Sequence, residues 1–420
     1  MVLESNIIMN TPWHIGTEVR LAAFTEIRRR TIFECCKWDV QVEDTNTLCP
    51  FPLVLKREAW NDLVQLGEQL ASETLRAEEE LFARPDLHGS LALPGAIRRA
   101  LRAGPQALNA IGAARLMRFD FHWTTDGWRI SEVNSDVPGG FVEASGFSRL
   151  VATEVSNASF EIDAVAIYAQ TIARRLPPGE LVALVHATAY SDDRQVMQFV
   201  ARTLNERGLR TALVSPEHLE WRDGRAWLGG PFPPESLGFI VRFFPAEWLP
   251  ELPRRSGWQH FFIGGRTPMS NPGTALLTQS KRCPLVWKAL RGKLDGWRSL
   301  LPETRDPRQV DMNNPEWILK PALGRVGDGI GIRSVTSAKQ WLQIQRAARR
   351  YPDHWIAQRY FEQVPLVHEG QRLFPCLGIY TIDERVAGVY GRVSTNGLTD
   401  FRARDIAVLV ESTEPLAAAI

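Results

Sequence analysis

Between Met117 and Glu143 the chain reads MRFDFHWTTDGWRISEVNSDVPGGFVE, and polar groups recur there at every second position of an aromatic, apolar run. A period of two is that of a β-strand, whose side chains alternate between faces. The stretch predicts a hairpin. Thr125-Asp126-Gly127 suits a three-residue loop whose last residue takes a positive φ, which glycine accepts without steric cost. That register sets Thr124 opposite Trp128, His122 opposite Ile130, Asp120 opposite Glu132 and Arg118 opposite Asn134. Two carboxylates then face each other directly. Like charges at a cross-strand pair destabilise a sheet, so the pair calls for a cation between them or a raised pKa on one of them. Asp120, Glu132 and Asn134 offer oxygen ligands alone, which suits a hard ion such as Mg2+. Arg118 falls on the same face, where it could meet a phosphoryl oxygen with two hydrogen bonds. The same alternation also fits a hairpin whose polar face is simply solvated, with Phe119, Phe121 and Trp123 turned inward.

At 420 residues the chain exceeds a single hydrophobic core, and two or three domains are expected. A formal net charge of +1 argues against a general electrostatic grip on nucleic acid or an anionic membrane. The basic run Arg346 to Arg350 is expected to be a solvated helix face. No signal peptide and no run of eighteen apolar residues is seen, so a cytoplasmic protein is expected. Cys35, Cys36, Cys49, Cys283 and Cys376 make an odd count without metal-type spacing, and reduced, buried thiols follow. The eight histidines are scattered, and no zinc site is expected.

Residues 1–115 predict a mainly helical region. Trp60, Leu63, Leu66 and Leu70 recur at helical spacing, and Glu78 to Glu80 reads as an exposed face. After the hairpin, Asn134 to Gly140 is turn-rich and ends at a helix start near Phe141, so its N–H groups could cradle an anion or simply form a Pro-Gly turn. Residues 181–260 read strand, helix, strand, hairpin about Asp223-Gly224, then the buried strand LGFIVRFF. This is a small doubly wound α/β unit. Its first βα turn, Thr188 to Ser191, lacks a glycine fingerprint. Residues 250–275, rich in Pro and Gly, read as a connection. Within 276–410, Lys281 precedes an apolar run, and WILKPALGRVGDGIGIRSV presents Lys320 on a strand before a loop with Gly324, Arg325, Gly327, Gly329 and Gly331. Such a loop permits close backbone approach to phosphate; a plain glycine-rich turn is the alternative.

Taken together, Arg118-x-Asp120, Glu132-x-Asn134 with Asp136-x-Pro138, Lys320-Pro321 with Gly324-Arg325-x-Gly327, and Ala387-Gly388 to Arg392 resemble the synthetase part of glutathionylspermidine synthase, a branch of the ATP-grasp ligases. The resemblance spans roughly 115–410. It implies an α/β (α+β) ATP-grasp fold with residues 116–180 in the core, 181–260 as a pre-ATP-grasp-like unit and 276–410 as the nucleotide-binding part. Asp120, Glu132 and Asn134 would hold Mg2+ against ATP; Lys281, Lys320, Gly324, Arg325, Gly327 and Gln358 would contact the nucleotide. Arg118, Arg325 and Arg392 would serve the reacting groups. The implied reaction activates a carboxylate as an acyl phosphate, which an amine attacks to give an amide, ADP and phosphate. Val137 and Gly139 replace hydroxyl residues usual in that family, Val326 replaces an acidic one and Val393 a glutamate, so the acid and the amine stay open. A catalytically silent nucleotide-binding module, or a ligase acting on a carrier protein or peptide terminus, are the competing readings.

Overall fold

In the computed structural model the described residues are 11–42, 45–104, 113–324 and 327–412. The hairpin strands Leu116–Thr124 and Gly127–Asn134 form one edge of a six-stranded antiparallel sheet. Leu116–Thr124 pairs with Gln371–Ile382, which pairs in turn with Arg385–Ser394, and Arg404–Ile406 closes the far edge. Segments some 250 residues apart thus share one ladder, with Asp120 between Glu132 on one side and Gly378 on the other.

The two faces of this sheet are chemically unlike because the strands alternate. Phe119, Phe121, Leu377 and Ile379 are fully buried against the long helix Arg57–Phe82, which contributes Leu63 and Leu70. Each such side chain contributes on the order of 1.5–3 kcal/mol of burial free energy. The opposite face carries Arg118, Asp120 and His122. Along the helix, Glu78 is buried rather than exposed: it meets Arg115 at 2.6 Å and accepts from Thr274 Oγ1 at 3.0 Å. Helical spacing alone predicts a solvent face there, but the helix is covered on that side as well.

A second sheet is wholly parallel, in the order Met269–Ser270, Phe239–Arg242, Leu181–Val185, Arg210–Val214. Leu181–Val185 is central and buried throughout, as its uninterrupted apolar sequence requires. Helix Ser191–Asn205 makes the crossover to Arg210–Val214, and the hairpin turns at Asp223 and Gly224 with φ of 49° and 74°. The segment read as a plain connection supplies the edge strand Met269–Ser270 and several short helices.

A third, three-stranded antiparallel sheet orders Thr304–Arg305, Trp355–Arg359 and Trp317–Pro321 beneath helix Ala338–Arg350. The glycine-rich loop after Pro321 does not lead into a further ladder strand. Instead Gly331 exchanges hydrogen bonds with Leu319 at 2.8 and 3.0 Å, so the loop folds back over its own strand. Finally Trp13–Ile15, Leu53–Leu55, Val408–Glu411 and Ala158–Ser159 form a small sheet that ties early residues to late ones. No helix among the described residues is long and apolar enough to cross a membrane.

Candidate active site

The hairpin register differs from the simplest reading at its tip and agrees with it at the polar end. Thr124 pairs with Gly127, not Trp128, and His122 pairs with Arg129, not Ile130. Two residues, Thr125 and Asp126, make the turn, where Thr124 Oγ1 donates to Gly127 O at 2.8 Å and accepts from the Asp126 N–H at 3.2 Å. Gly127 has φ +89°. A bulge between Phe121 and Asp120 takes up one residue at Ser131 and brings Asp120 opposite Glu132 and Arg118 opposite Asn134.

Arg118 forms a two-pronged pair with Asp120, Nε to Oδ1 at 2.7 Å and Nη2 to Oδ2 at 2.9 Å, and Asn134 Nδ2 donates to the same Oδ2 at 3.1 Å. The remaining Arg118 donor reaches Gly139 O at 2.8 Å, and the guanidinium lies 5.3 Å from the Tyr390 ring centre. Space for it comes from Gly378: a Cβ there would stand 2.6 Å from Arg118 Cδ. Across the ladder, Lys281 Nζ lies 3.0 Å from Glu132 Oε2 and donates to Gly324 O at 2.9 Å. Burial pushes the Glu132 carboxyl up, but Lys281 and Lys320 outweigh it and hold it down to about 2. Of the two remedies for facing carboxylates, then, Glu132 shows the cation and not the raised pKa.

Lys320, 4 % exposed, donates to Gln358 Oε1 at 2.8 Å and to Ser131 O at 3.1 Å, and burial lowers its ammonium to about 8. Gln358 is in turn fixed by donating to Thr304 Oγ1 at 3.0 Å. Next to them His122 is buried between Gln363 Oε1 and Ser131 Oγ, each 3.0 Å from a ring nitrogen. Burial lowers its pKa to about 4, against about 6.5 in water. The unfolded chain therefore binds more protons between those pH values, and the stability contributed by neutral His122 is complete above pH 6.5 and lost as pH falls toward 4. His122→Gln is expected to remove about 2 kcal/mol of that acid destabilisation, read from urea unfolding at pH 7 and pH 4.5.

Beside these groups lies a cavity of about 490 Å3. Arg118, Asp120, Glu132, Asn134, Lys320, Gly327 and Arg392 all line it. Arg392 pairs with Cys376 and Asp405 in the ladder and donates to Asp400 O at 2.6 Å and Ala403 O at 3.1 Å. Gly327, at φ +70°, brings the loop against Thr399. Lys281 and Gln358 are set apart from this space and line a smaller, mostly apolar pocket of about 40 Å3 with Trp287, Trp297 and Ile356; Ser131 and Glu132 belong to both walls. Arg325 lies outside the described residues. In the Asn134 to Gly140 turn, the Ser135 and Asp136 N–H groups are already taken by Gln279 Oε1 at 2.8 and 3.0 Å, so these two do not form an open anion cradle.

Comparison with known families gives a match over residues 53–411 to the family described as glutathionylspermidine synthase preATP-grasp. The chain belongs to that family. Among solved structures, a glutathione synthetase-like effector from Globodera pallida aligns with a TM-score of 0.59 at 14% identity, covering 92% of this chain and 97% of that one. A putative γ-glutamylcysteine synthetase from Methylobacillus flagellatus aligns with a TM-score of 0.43 at 12% identity over 82% and 87% of the two chains. No curated protein matches in sequence. The fold is ATP-grasp, with the parallel sheet as its small doubly wound unit.

In this member of the glutathionylspermidine synthase preATP-grasp family, several residues of the cavity wall escaped the sequence reading. Lys37, Glu143 and Asp405 form a charge cluster there, with Lys37 and Glu143 separated by 106 residues. Local spacing has no means of pairing them. Gln363, which holds His122 and donates to Gly397 O at 2.7 Å, is likewise visible only in the folded chain. Asp136, already part of the Asp136-x-Pro138 motif, does not line this cavity. Its partner Arg242 comes from the parallel sheet, and both side chains are fully buried.

Proposed function

We propose that this chain is an ATP- and Mg2+-dependent carboxylate–amine ligase that forms an amide by way of an acyl phosphate. The observation that carries the reading is one continuous wall on which oxygen ligands from Asp120, Glu132 and Asn134 lie beside Lys320 and Arg118. The donor set is chemically right for Mg2+: oxygens only, on adjacent strands, with Glu132 held ionised by its lysines. Bound Mg2+-ATP would supply the phosphoryl group and the charge that draws it toward these oxygens.

This chain's own groups would do the rest by position and charge, with no covalent nucleophile. Lys281 and Lys320 would take nucleotide phosphates, Gly324, Arg325 and Gly327 the loop contacts, and Gln358 the side of the smaller apolar pocket. Arg118 would release Asp120 to the metal and turn its fork to the acyl phosphate, together with Arg392 across the cavity. Phosphate favours the charged form of Lys320. Nucleotide affinity should therefore fall as pH rises through about 8, measurable by calorimetric titration at pH 7 and pH 9.

The substrates are proposed as a small carboxylic acid or peptide and an amine, with a carrier protein as a further acid donor. ADP release with Mg2+-ATP against a matrix of acids and amines tests the reading. Turnover that requires one acid and one amine together is the expected result. Nucleotide binding without turnover in any combination, carrier proteins included, would replace the ligase by a binding module, a reading that the existing Arg118–Asp120 and Lys281–Glu132 pairs also fit.

A further inference from the structure

Lys37 follows Cys36, whose φ of 64° turns the chain, and its N–H donates to Thr31 O at 3.1 Å. Its side chain is 4 % exposed, and the ammonium reaches Glu143 Oε1 at 2.5 Å, Asp39 Oδ1 at 3.1 Å and Asp405 Oδ2 at 3.4 Å. Three segments of chain supply these carboxylates. Two of them have a further partner: Asp405 Oδ1 accepts from the Tyr390 hydroxyl at 2.7 Å, and Asp39 Oδ1 accepts from Gln195 Nε2 at 2.8 Å. Gln195 sits on helix Ser191–Asn205 and also accepts from the Trp38 N–H at 2.6 Å. A buried ammonium is costly unless it is paired and hydrogen-bonded, so this is a built seat for one ammonium.

The seat lines the same cavity as Arg118 and Arg392. Glu143 Oε2 is buried without a hydrogen-bond partner among the described residues, and burial, with Asp405 beside it, pushes the Glu143 carboxyl up in spite of Lys37. Carboxylates so arranged would hold the charged end of an amine substrate if Lys37 were absent.

We infer that Lys37 is a specificity-determining residue: its ammonium occupies the seat that a second positive charge on the amine substrate would need, so the chain joins amines that carry no second ammonium. The word substrate rests on the ligase reading; the occupied seat does not. The distal ammonium of a diamine would find the Glu143, Asp39 and Asp405 oxygens that face this seat already taken by the charge of Lys37. A monoamine or an amino acid, presenting its amine alone to the reacting end, meets no such charge.

The test is calorimetric titration of the full chain, wild type and Lys37→Ala, with 1,4-diaminobutane and with n-butylamine, the latter also followed by melting temperature. Lys37→Ala should bind 1,4-diaminobutane at least about tenfold more tightly than wild type, a gain that Asp405→Asn removes. n-Butylamine should raise the melting temperature of Lys37→Ala and leave that of wild type unchanged. If Lys37→Ala does not fold, Lys37→Gln should show the same gain, and n-butylamine, but not n-butanol, should rescue refolding of the alanine variant. Equal binding of 1,4-diaminobutane by wild type and variant, or a folded variant with no gain, overturns the inference. ADP release measured on the same samples keeps the two ideas apart: no turnover with any amine removes the ligase and leaves the binding result standing.

Discussion

Replacing Asp120 by Asn is expected to lower Mg2+-ATP-dependent ADP release by about a thousandfold while the chain keeps its fold. The change is isosteric. Its amide oxygen can still accept from Arg118, and Arg118 keeps Gly139 O and the Tyr390 ring, so the hairpin retains its packing on the Arg57–Phe82 helix. What is lost is the negative charge opposite Glu132. Electrostatic stabilisation of phosphoryl transfer depends on that charge being fixed in a site of low dielectric, where reorganisation has already been offset by folding. Glu132→Gln should behave alike and, in addition, free Lys281 from its partner at 3.0 Å. Circular dichroism and melting curves establish that the variants are folded, and Mg2+ titration of nucleotide binding reads the metal. Activity within tenfold of wild type in both variants would remove the metal assignment.

The largest effect on stability is expected away from the chemistry, at Arg242. Its guanidinium pairs with Asp136 and donates to Asn271 O at 2.8 Å, Phe244 O at 2.7 Å and Pro272 O at 3.2 Å, while Asp136 Oδ2 accepts from the Ala246 N–H at 2.9 Å. With both side chains at 0 % exposure, removing one leaves the other charged and buried without its countercharge. Arg242→Met should therefore cost about 3–5 kcal/mol in urea unfolding. The reverse truncation, Asp136→Leu, should cost a similar amount. Together the two should cost less than their sum, because the double variant buries no orphan charge. A loss below about 1 kcal/mol for Arg242→Met would contradict the desolvation argument. Because Asp136 leaves the hairpin and Arg242 ends a strand of the parallel sheet, the pair also fixes how the Asp120 face is presented to the cavity.

How far the site was legible from residues alone depended on whether its signal was local. The alternation of Arg118, Asp120 and His122 with Phe119 and Phe121 is a property of five consecutive residues, and the folded strand keeps it. The turn is ambiguous in the sequence, since a two-residue turn with a bulge at Ser131 and a three-residue loop place Asp120 opposite Glu132 equally well. Glu78 departs from the exposed face that amphipathic spacing predicts because a helix covered on more than one side buries the charge. Met269–Ser270 has no signal in the sequence because two residues carry no period, and only the neighbouring strand Phe239–Arg242 makes them an edge.

By itself, then, the sequence determined the local chemistry: an oxygen-rich strand face, a lysine ahead of a glycine loop, an apolar strand that must lie inside a parallel sheet, and the motifs that mark the family. Tertiary structure alone decided which charges meet. Lys281 finds Glu132, Arg242 finds Asp136, and Lys37 finds Glu143 and Asp405 across gaps of chain that no periodicity spans. The physical reason is that a buried charge is settled by whatever opposite charge the packing delivers to it, and that delivery is a property of the whole fold.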